Sequence, residues 1–249
     1  MLGPFALAIV AVTTLVTSFV SGVFGMAGGM MLLGVLLIFM DVAPAMMLFG
    51  TVQMASNVWR GALWWRHVDW SIVWRFLVGS AATFLVLRLV AVLPTKAALY
   101  LMLGLVPFAA YALPKRWEPD ITRPGVPYAC GAVIIVLQLM AGAAGHVLDI
   151  FFQKSRLDRK TIVGTKAVVQ VSGHVYRIAY FGSFAGAWEE SLPLWVYGAG
   201  IVLAVTGTSL AALVLERMTD AGFRLWSRRI TIGVSLTYLT RGLWLVVAP

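Results

Sequence analysis

Charged residues and cysteine are both scarce in this sequence. Only 12% of its 249 residues are charged while 61% are hydrophobic, which is too little charge for a soluble globular domain. The single cysteine, Cys130, lies in an apolar run, so a disulfide framework is excluded and a buried inert thiol is favoured. Ten Trp and 24 Gly fit interfacial anchors and close helix packing in a bilayer. The composition therefore predicts an integral membrane protein with one membrane domain over residues 1–249.

The motifs of several enzyme classes are also missing. The sequence contains no HExxH metal motif, no GxSxG nucleophile elbow and no P-loop. We therefore expect no enzymatic activity, no metal site and no cofactor. The net charge is +9, but the Lys and Arg residues lie mostly in short turns between apolar blocks. This placement is typical of residues that set membrane topology, and it disfavours nucleic acid as a partner.

Apolar blocks separated by charge or proline predict an all-α polytopic membrane protein. The ten predicted segments are 5–24, 26–40, 44–65, 71–92, 96–113, 126–143, 145–155, 160–181, 193–215 and 230–248. Segments 26–40 and 145–155 are too short to cross a hydrocarbon core of about 30 Å as straight helices. We expect both to be glycine-broken short helices near the midplane, and whether each fully crosses is left open.

The two halves of the chain resemble each other. A proline-rich linker at 114–127 separates repeat 1, about 5–113, from repeat 2, about 128–248. A shift of 117 positions lays "QMASNVWR" at 53–60 over "QVSGHVYR" at 170–177 and pairs Gly25 with Gly142. Compositional similarity of apolar helices is the alternative, but matched polar residues favour duplication. With about five segments in each half, an odd number, the repeats are expected to be inverted.

The distribution of basic residues predicts the orientation. If every segment crosses and the amino terminus is outside, 12 of the 19 Lys and Arg residues fall in inner loops. This asymmetry satisfies the positive-inside rule. We therefore expect a multi-pass protein of a prokaryotic inner membrane with both termini outside.

Two glycine-rich stretches are candidate binding elements. "SGVFGMAGGMM" carries Gly25, Gly28 and Gly29, and "MAGAAGHV" carries Gly142 and Gly145. A helix broken at membrane depth exposes backbone N–H groups, and the amino end of the following helix attracts anions. Two such ends facing each other would suit a small oxyanion. The alternative is a packing seam of small residues.

Two polar stripes favour the binding interpretation. Gln53, Asn57 and Arg60 are spaced i, i+4 and i+7 and thus share one helix face. Gln170, His174 and Arg177 repeat that face in the second half. Intramembrane amides and charges usually face a cavity, which predicts a substrate route. Hydrogen bonding between helices, with both arginines reaching the interfaces, is the alternative.

His146 and Asp149 have no polar equivalents in the first half. Their i, i+3 spacing on a short segment suits a proton-coupling pair. The alternative is a structural histidine beside an interfacial aspartate that caps a helix or pairs with a lysine. Lys166 is a further cation that would face the anion or reach the inner surface.

The sequence resembles the sulfite exporter TauE/SafE family, also described as toluene sulfonate uptake permeases. The resemblance rests on "SGVFGMAGGMMLLGVLL", on its second copy "MAGAAGHVLDI", on the internal duplication and on the length of the chain. It departs from the family pattern at His146, which stands in place of a glycine. The resemblance implies a permease for small sulfur-containing anions such as sulfite, thiosulfate or an organosulfonate.

Two classes of function follow from these patterns. The first is a secondary transporter of a small anion, whose partners are that anion and the lipid bilayer. The second is a membrane assembly or scaffold protein, whose glycines and glutamines only pack helices. A homo-oligomer is compatible with both.

Overall fold

The computed structural model describes residues 3–24, 26–142, 144–184, 188, 192–215 and 220–247. Within these residues the fold is all-helical, with ten α-helices and two single-turn 3-10 helices, at Trp65–His67 and Lys115–Trp117. The α-helices are α1 (Pro4–Phe24), α2 (Met26–Phe39), α3 (Val42–Leu63), α4 (Trp70–Val90), α5 (Lys96–Ala112), α6 (Val126–Met140), α7 (Gly145–Gln153), α8 (Arg159–Phe181), α9 (Leu194–Leu215) and α10 (Asp220–Val247).

The last helix differs most from its predicted segment. It begins at Asp220 rather than at residue 230, so that Arg228 and Arg229 are helical rather than part of a loop. Arginine is a good helix former, and its long stem lets a helix continue beyond the hydrocarbon core while the charge stays in water. Polar residues therefore mark the membrane boundary here but not the end of the helix.

Lipid contact explains the composition of the outer helices. By length and composition, four stretches of the described residues can cross a membrane, in α1, α4, α9 and α10. Their apolar side chains point outward, as Leu89, Leu194 and Val247 illustrate with 87%, 82% and 82% exposure. A surface of this kind is stable in lipid and not in water. The chain is an integral membrane protein.

Helices α3 and α8 lie inside this shell. They are long enough to cross, at 22 and 23 residues, but carry the polar stripes and so are less apolar. They pack against each other and run antiparallel, since Gly50 contacts Ile178 and Gly61 contacts Val168. A short helix from each half completes the interior: α2 with 14 residues and α7 with 9.

Glycines allow the helices to pack closely. The most extensive helix pairings are α1 with α9, α4 with α6, α3 with α8 and α5 with α10. Between α4 and α6, a methyl group added at Gly79 would collide with the backbone of Tyr128, and one added at Gly131 would collide with the backbone of Phe76. Between α1 and α9, Gly22 and Gly207 likewise leave no room for a methyl group. Every one of these pairings joins the first five helices to the last five.

Candidate functional site

A small cavity lies among α2, α3, α6, α7 and α8. Its volume is about 20 Å³, which is room for a water molecule. The polar side chains that line it are Gln53, Gln138, Gln170, His174 and Arg177, its glycines are Gly29, Gly142 and Gly145, and its apolar residues are Met30, Phe49, Ile134, Ala144 and Leu148.

Arg177 is the dominant charge of this cavity. The residue is only 1% exposed. Its Nη2 donates to the carbonyl oxygens of Gln138 at 2.9 Å and Gly142 at 2.7 Å, and its guanidinium lies 4.6 Å from the centre of the Phe49 ring. The ion pairs found in the described residues are Lys96–Asp41 and Lys166–Asp149, and Arg177 belongs to neither. Among the described residues its positive charge is thus compensated by two carbonyl dipoles and a ring face, and not by a carboxylate.

His174 is positioned by Arg177. The Nη1 of Arg177 lies 3.0 Å from Nδ1 of His174. Because a guanidinium only donates, Nδ1 must accept, and the hydrogen of a neutral imidazole then resides on Nε2. His174, which is 4% exposed, therefore retains one ring N–H donor at Nε2.

Three buried glutamines surround this pair. Gln53, Gln138 and Gln170 are 4%, 5% and 8% exposed. The amide nitrogen of Gln53 lies close to Gly29 of α2, and the side chain of Gln138 lies against Gly173 of α8. Among the described atoms, Oε1 of Gln138 and Nε of Arg177 are buried without a hydrogen-bond partner. The cavity thus combines one cation with several amide groups and leaves polar atoms for a ligand.

Helix ends also converge on the cavity. Helix α6 ends at Met140, and Gly142 then adopts a left-handed conformation with φ of +73°, the usual way for glycine to terminate a helix. Helix α7 begins at Gly145. Gly29 lies in the first turn of α2. The amino-terminal turns of both short helices therefore border the cavity.

Several predicted site residues lie elsewhere. Gly28 packs against the backbone of Thr17 and Ser21 in α1, which is a helix-packing role. Asn57 accepts a hydrogen bond from Arg60 at 2.7 Å, and neither of them lines the cavity. Gly25 lies outside the described residues.

The predicted His146 and Asp149 pair has different partners in the structure. Nε2 of His146 is 3.4 Å from the hydroxyl of Thr231, and its ring packs on Tyr111. Asp149 instead accepts a hydrogen bond from Lys166 on α8. Proton coupling through His146 and Asp149 stays a prediction.

Gln138 is the polar cavity residue that the sequence analysis missed. It is the one amide side chain in the apolar helix α6, and an amide at membrane depth is the same signal that identified Gln53. Residue 21, the repeat equivalent of Gln138, is a serine. Gln138 therefore did not stand out as part of a matched pair.

The fold and cavity define a class: a polytopic helical membrane protein with a buried, cationic, amide-lined interior site. The family described as "Sulfite exporter TauE/SafE" matches residues 10–238. The chain belongs to this family, which is one of membrane transporters of sulfur anions. Neither a curated protein nor a solved structure matches the chain.

Proposed function

We propose that this protein is a secondary transporter that moves a small sulfur-containing anion, such as sulfite, thiosulfate or an organosulfonate, across a prokaryotic inner membrane. The observation that carries the proposal is Arg177, a buried guanidinium without a carboxylate partner in the described residues, at the wall of a cavity. Burying such a charge costs several kcal/mol unless it is compensated. A transported anion would supply that compensation.

The helix ends support an anion at this place. The amino end of a helix carries about half a positive charge and free N–H groups. Gly29 and Gly145 bring two such ends to the cavity, and neither has a side chain to block the approach. The substrate site in this proposal consists of the two glycines, the three glutamines, Gly142, His174 and Arg177. A role in binding for Gly25, Gly28, Asn57 and Arg60 stays a prediction, as it does for His146.

The helix pairings support two inverted repeats. If each helix of the first five is exchanged with the one five places later, α1 becomes α6 and α9 becomes α4, so the α1–α9 pairing becomes the observed α4–α6 pairing. The α3–α8 and α5–α10 pairings are unchanged by the exchange. The antiparallel contact of α3 with α8 fits a twofold axis in the membrane plane. In such a protein the site lies at the interface of the repeats, and Arg177 of α8 contacts Phe49 of α3 at what would be that interface.

The size of the cavity supports an occluded state. A sulfur oxyanion has several heavy atoms, more than a volume of about 20 Å³ accommodates. Transport would therefore require the interior helices to move apart on one side at a time. The sequence has no P-loop, and in this proposal transport is passive, coupled to an ion gradient or driven by a partner.

The test is anion binding and uptake by the purified protein and its Arg177→Gln variant. We expect a saturable rise in melting temperature with sulfite or thiosulfate, and uptake into liposomes. The variant should bind at least about tenfold more weakly, because a hydrogen bond to a charged group contributes about 1.5 to 3 kcal/mol.

Arg66→Gln is the matched control, since Arg66 is exposed in the connection between α3 and α4. It removes one charge and should bind normally. Size-exclusion profiles and melting without anion identify a variant that has not folded. A protein that is stable but shows neither a saturable shift nor uptake would be a scaffold, and an Arg177→Gln variant with unchanged affinity would remove the cavity from the proposal.

A further inference from the structure

A second cationic cluster lies beside the cavity, toward the amino end of α8. Lys166 comes one helical turn before the cavity residue Gln170, and Asp149 comes one turn after Gly145. The Lys166 ammonium donates to Oδ1 of Asp149. Their side chains are 24% and 39% exposed, against 8% for Gln170. The ion pair therefore lies between the cavity and the surface.

Arg60 faces this pair from α3. Because α3 and α8 are antiparallel, with Gly50 against Ile178 and Gly61 against Val168, Arg60 lies opposite residues 168–169, within one helical turn of Lys166. The Asp149 carboxylate is within electrostatic range of the Arg60 guanidinium. Arg60 donates to Asn57 through Nη2, while its buried Nε has no partner among the described atoms. The cluster thus contains two cations and one carboxylate.

We propose that Arg60 and Lys166 form a second anion site on the route between the cavity and this surface, and that Asp149 occupies it when no substrate is present. The proposal rests on the transport function argued above. A carboxylate and a sulfur oxyanion carry the same kind of charged oxygen, and both bind ammonium and guanidinium groups. An anion leaving the cavity would displace Asp149 from Lys166, and the carboxylate would return once the anion had left.

The carboxylate therefore acts as a tethered competitor. Without Asp149, an anion would bind two cations with no competing charge, and would leave slowly. With Asp149 in place, the site is occupied and neutralised in the resting protein. The expected consequence is that removing the carboxylate strengthens anion binding while slowing turnover.

The test is the affinity for thiosulfate, measured by calorimetry in chloride-free buffer, in an Arg177→Gln background that disables the cavity. We expect Asp149→Asn in this background to bind thiosulfate about tenfold more tightly than Arg177→Gln alone, because a nearby like charge is removed. Adding Lys166→Gln or Arg60→Gln should abolish the gain. In the otherwise unchanged protein, Asp149→Asn should lower the maximal rate of uptake.

Asp41→Asn is the matched control, because Asp41 forms the other ion pair of the described residues, with Lys96 at 3.0 Å. Asp41 lies just before the amino end of α3, whereas Arg60 lies near its carboxyl end. It should leave both affinity and rate unchanged. Equal or weaker binding in Asp149→Asn overturns the second site. Arg60→Gln breaks neither of the ion pairs found in the described residues, so it tests the site even if the Asp149 variant does not fold. Binding that depends on Lys166 and Arg60 but not on Arg177 would refute the cavity as a binding site and support this second site. Absence of binding in every variant would refute both sites.

Discussion

At the scale of single residues, the cavity is organised by Arg177. Its Nη2 donates to the carbonyl oxygens of Gln138, in the last turn of α6, and of Gly142, just after α6, while its Nη1 donates to Nδ1 of His174. One side chain thus joins α8 to the break between α6 and α7. In the proposed transporter, the same arginine would bind the anion and couple α8 to the break between α6 and α7.

The matched glutamines, Gln53 and Gln170, give a prediction at this scale. If both contact one anion, Gln53→Glu and Gln170→Glu should each abolish binding at neutral pH, since a carboxylate repels the substrate and accepts hydrogen bonds only. Binding should partly return at acid pH, where the introduced group is protonated. The alanine variants should couple non-additively in a double-mutant cycle of thiosulfate affinities. Gln153→Glu, on the exposed end of α7, is the control, and additive mild losses without acid recovery would contradict a shared site.

At the scale of helices, glycine decides how close two elements approach. Gly79 and Gly131 let α4 and α6 meet backbone to backbone, in the way expected of small residues in membranes. Gly28 does the same between α2 and α1. A glycine-rich stretch can therefore contain both packing and cavity residues, as Gly28 and Gly29 show.

Alanine substitutions should separate packing glycines from tolerant ones. In a helix, alanine is intrinsically better than glycine by about 1 kcal/mol. We expect Gly198→Ala in α9, where an added methyl group meets nothing within 4 Å, to hold or raise the melting temperature in detergent. Gly131→Ala should lower it, because the methyl group collides with the Phe76 carbonyl. Equal melting temperatures for the two variants would mean that α4 and α6 are not closely packed.

The cap of α8 gives a pH-dependent prediction. Asp158 accepts hydrogen bonds from the backbone N–H groups of Lys160 and Thr161 and from the Thr161 hydroxyl. The bonds from Thr161, the largest cause, hold the pKa of this exposed carboxyl below its ordinary value. A carboxyl group whose pKa is lower in the folded protein than in the unfolded chain stabilises the fold at pH values above its unfolded-state pKa. This stabilisation is lost as the pH falls through the pKa of the folded state. Asp158→Ala should therefore melt below the wild type at neutral pH, with a difference that shrinks in acid, and a constant difference would contradict the cap.

At the scale of the whole molecule, the two halves form one unit. Each of the four principal pairings joins a helix from 4–112 to one from 126–247. Neither half buries its central helix alone, because α3 and α8 pack mainly on each other. In the proposed transporter, the cavity among α2, α3, α6, α7 and α8 would be the place where access alternates between the two sides.

Accessibility of single cysteines tests the orientation of the molecule. The test uses three variants, each with one cysteine in a Cys130→Ala background, at the exposed positions Arg66, Arg156 and Ser183. The first two lie at the same end of the antiparallel α3–α8 pair, since Trp64 contacts Gly164, and Ser183 follows the other end of α8. An impermeant maleimide should label position 183 in intact cells, and positions 66 and 156 only after permeabilisation. The reverse pattern would overturn the predicted orientation, and labelling of all three from one side would contradict the arrangement of α3 and α8.

The sequence by itself determined the solvent, the helices and the central polar residues of this protein. Nine of the ten helices begin within a few residues of their predicted segments, because hydropathy and helix breakers act locally. Gln53, Gln170, His174 and Arg177 all line the cavity. An amide or charge within an apolar helix must find a polar environment, and this requirement is visible in the sequence.

Only the tertiary structure decided which polar residues share the cavity. Gln138 joins it, Asn57 and Arg60 form a separate contact, and Asp149 pairs with Lys166 instead of His146. The same holds for the repeats, whose boundaries at 113 and 128 stay predictions while the pairing of their helices is observed. The physical reason is that a helical period fixes which residues share a face, whereas the neighbour that this face meets depends on how the helices cross. That crossing is set by close packing at glycines such as Gly28 and Gly131, a property of two segments far apart in the chain.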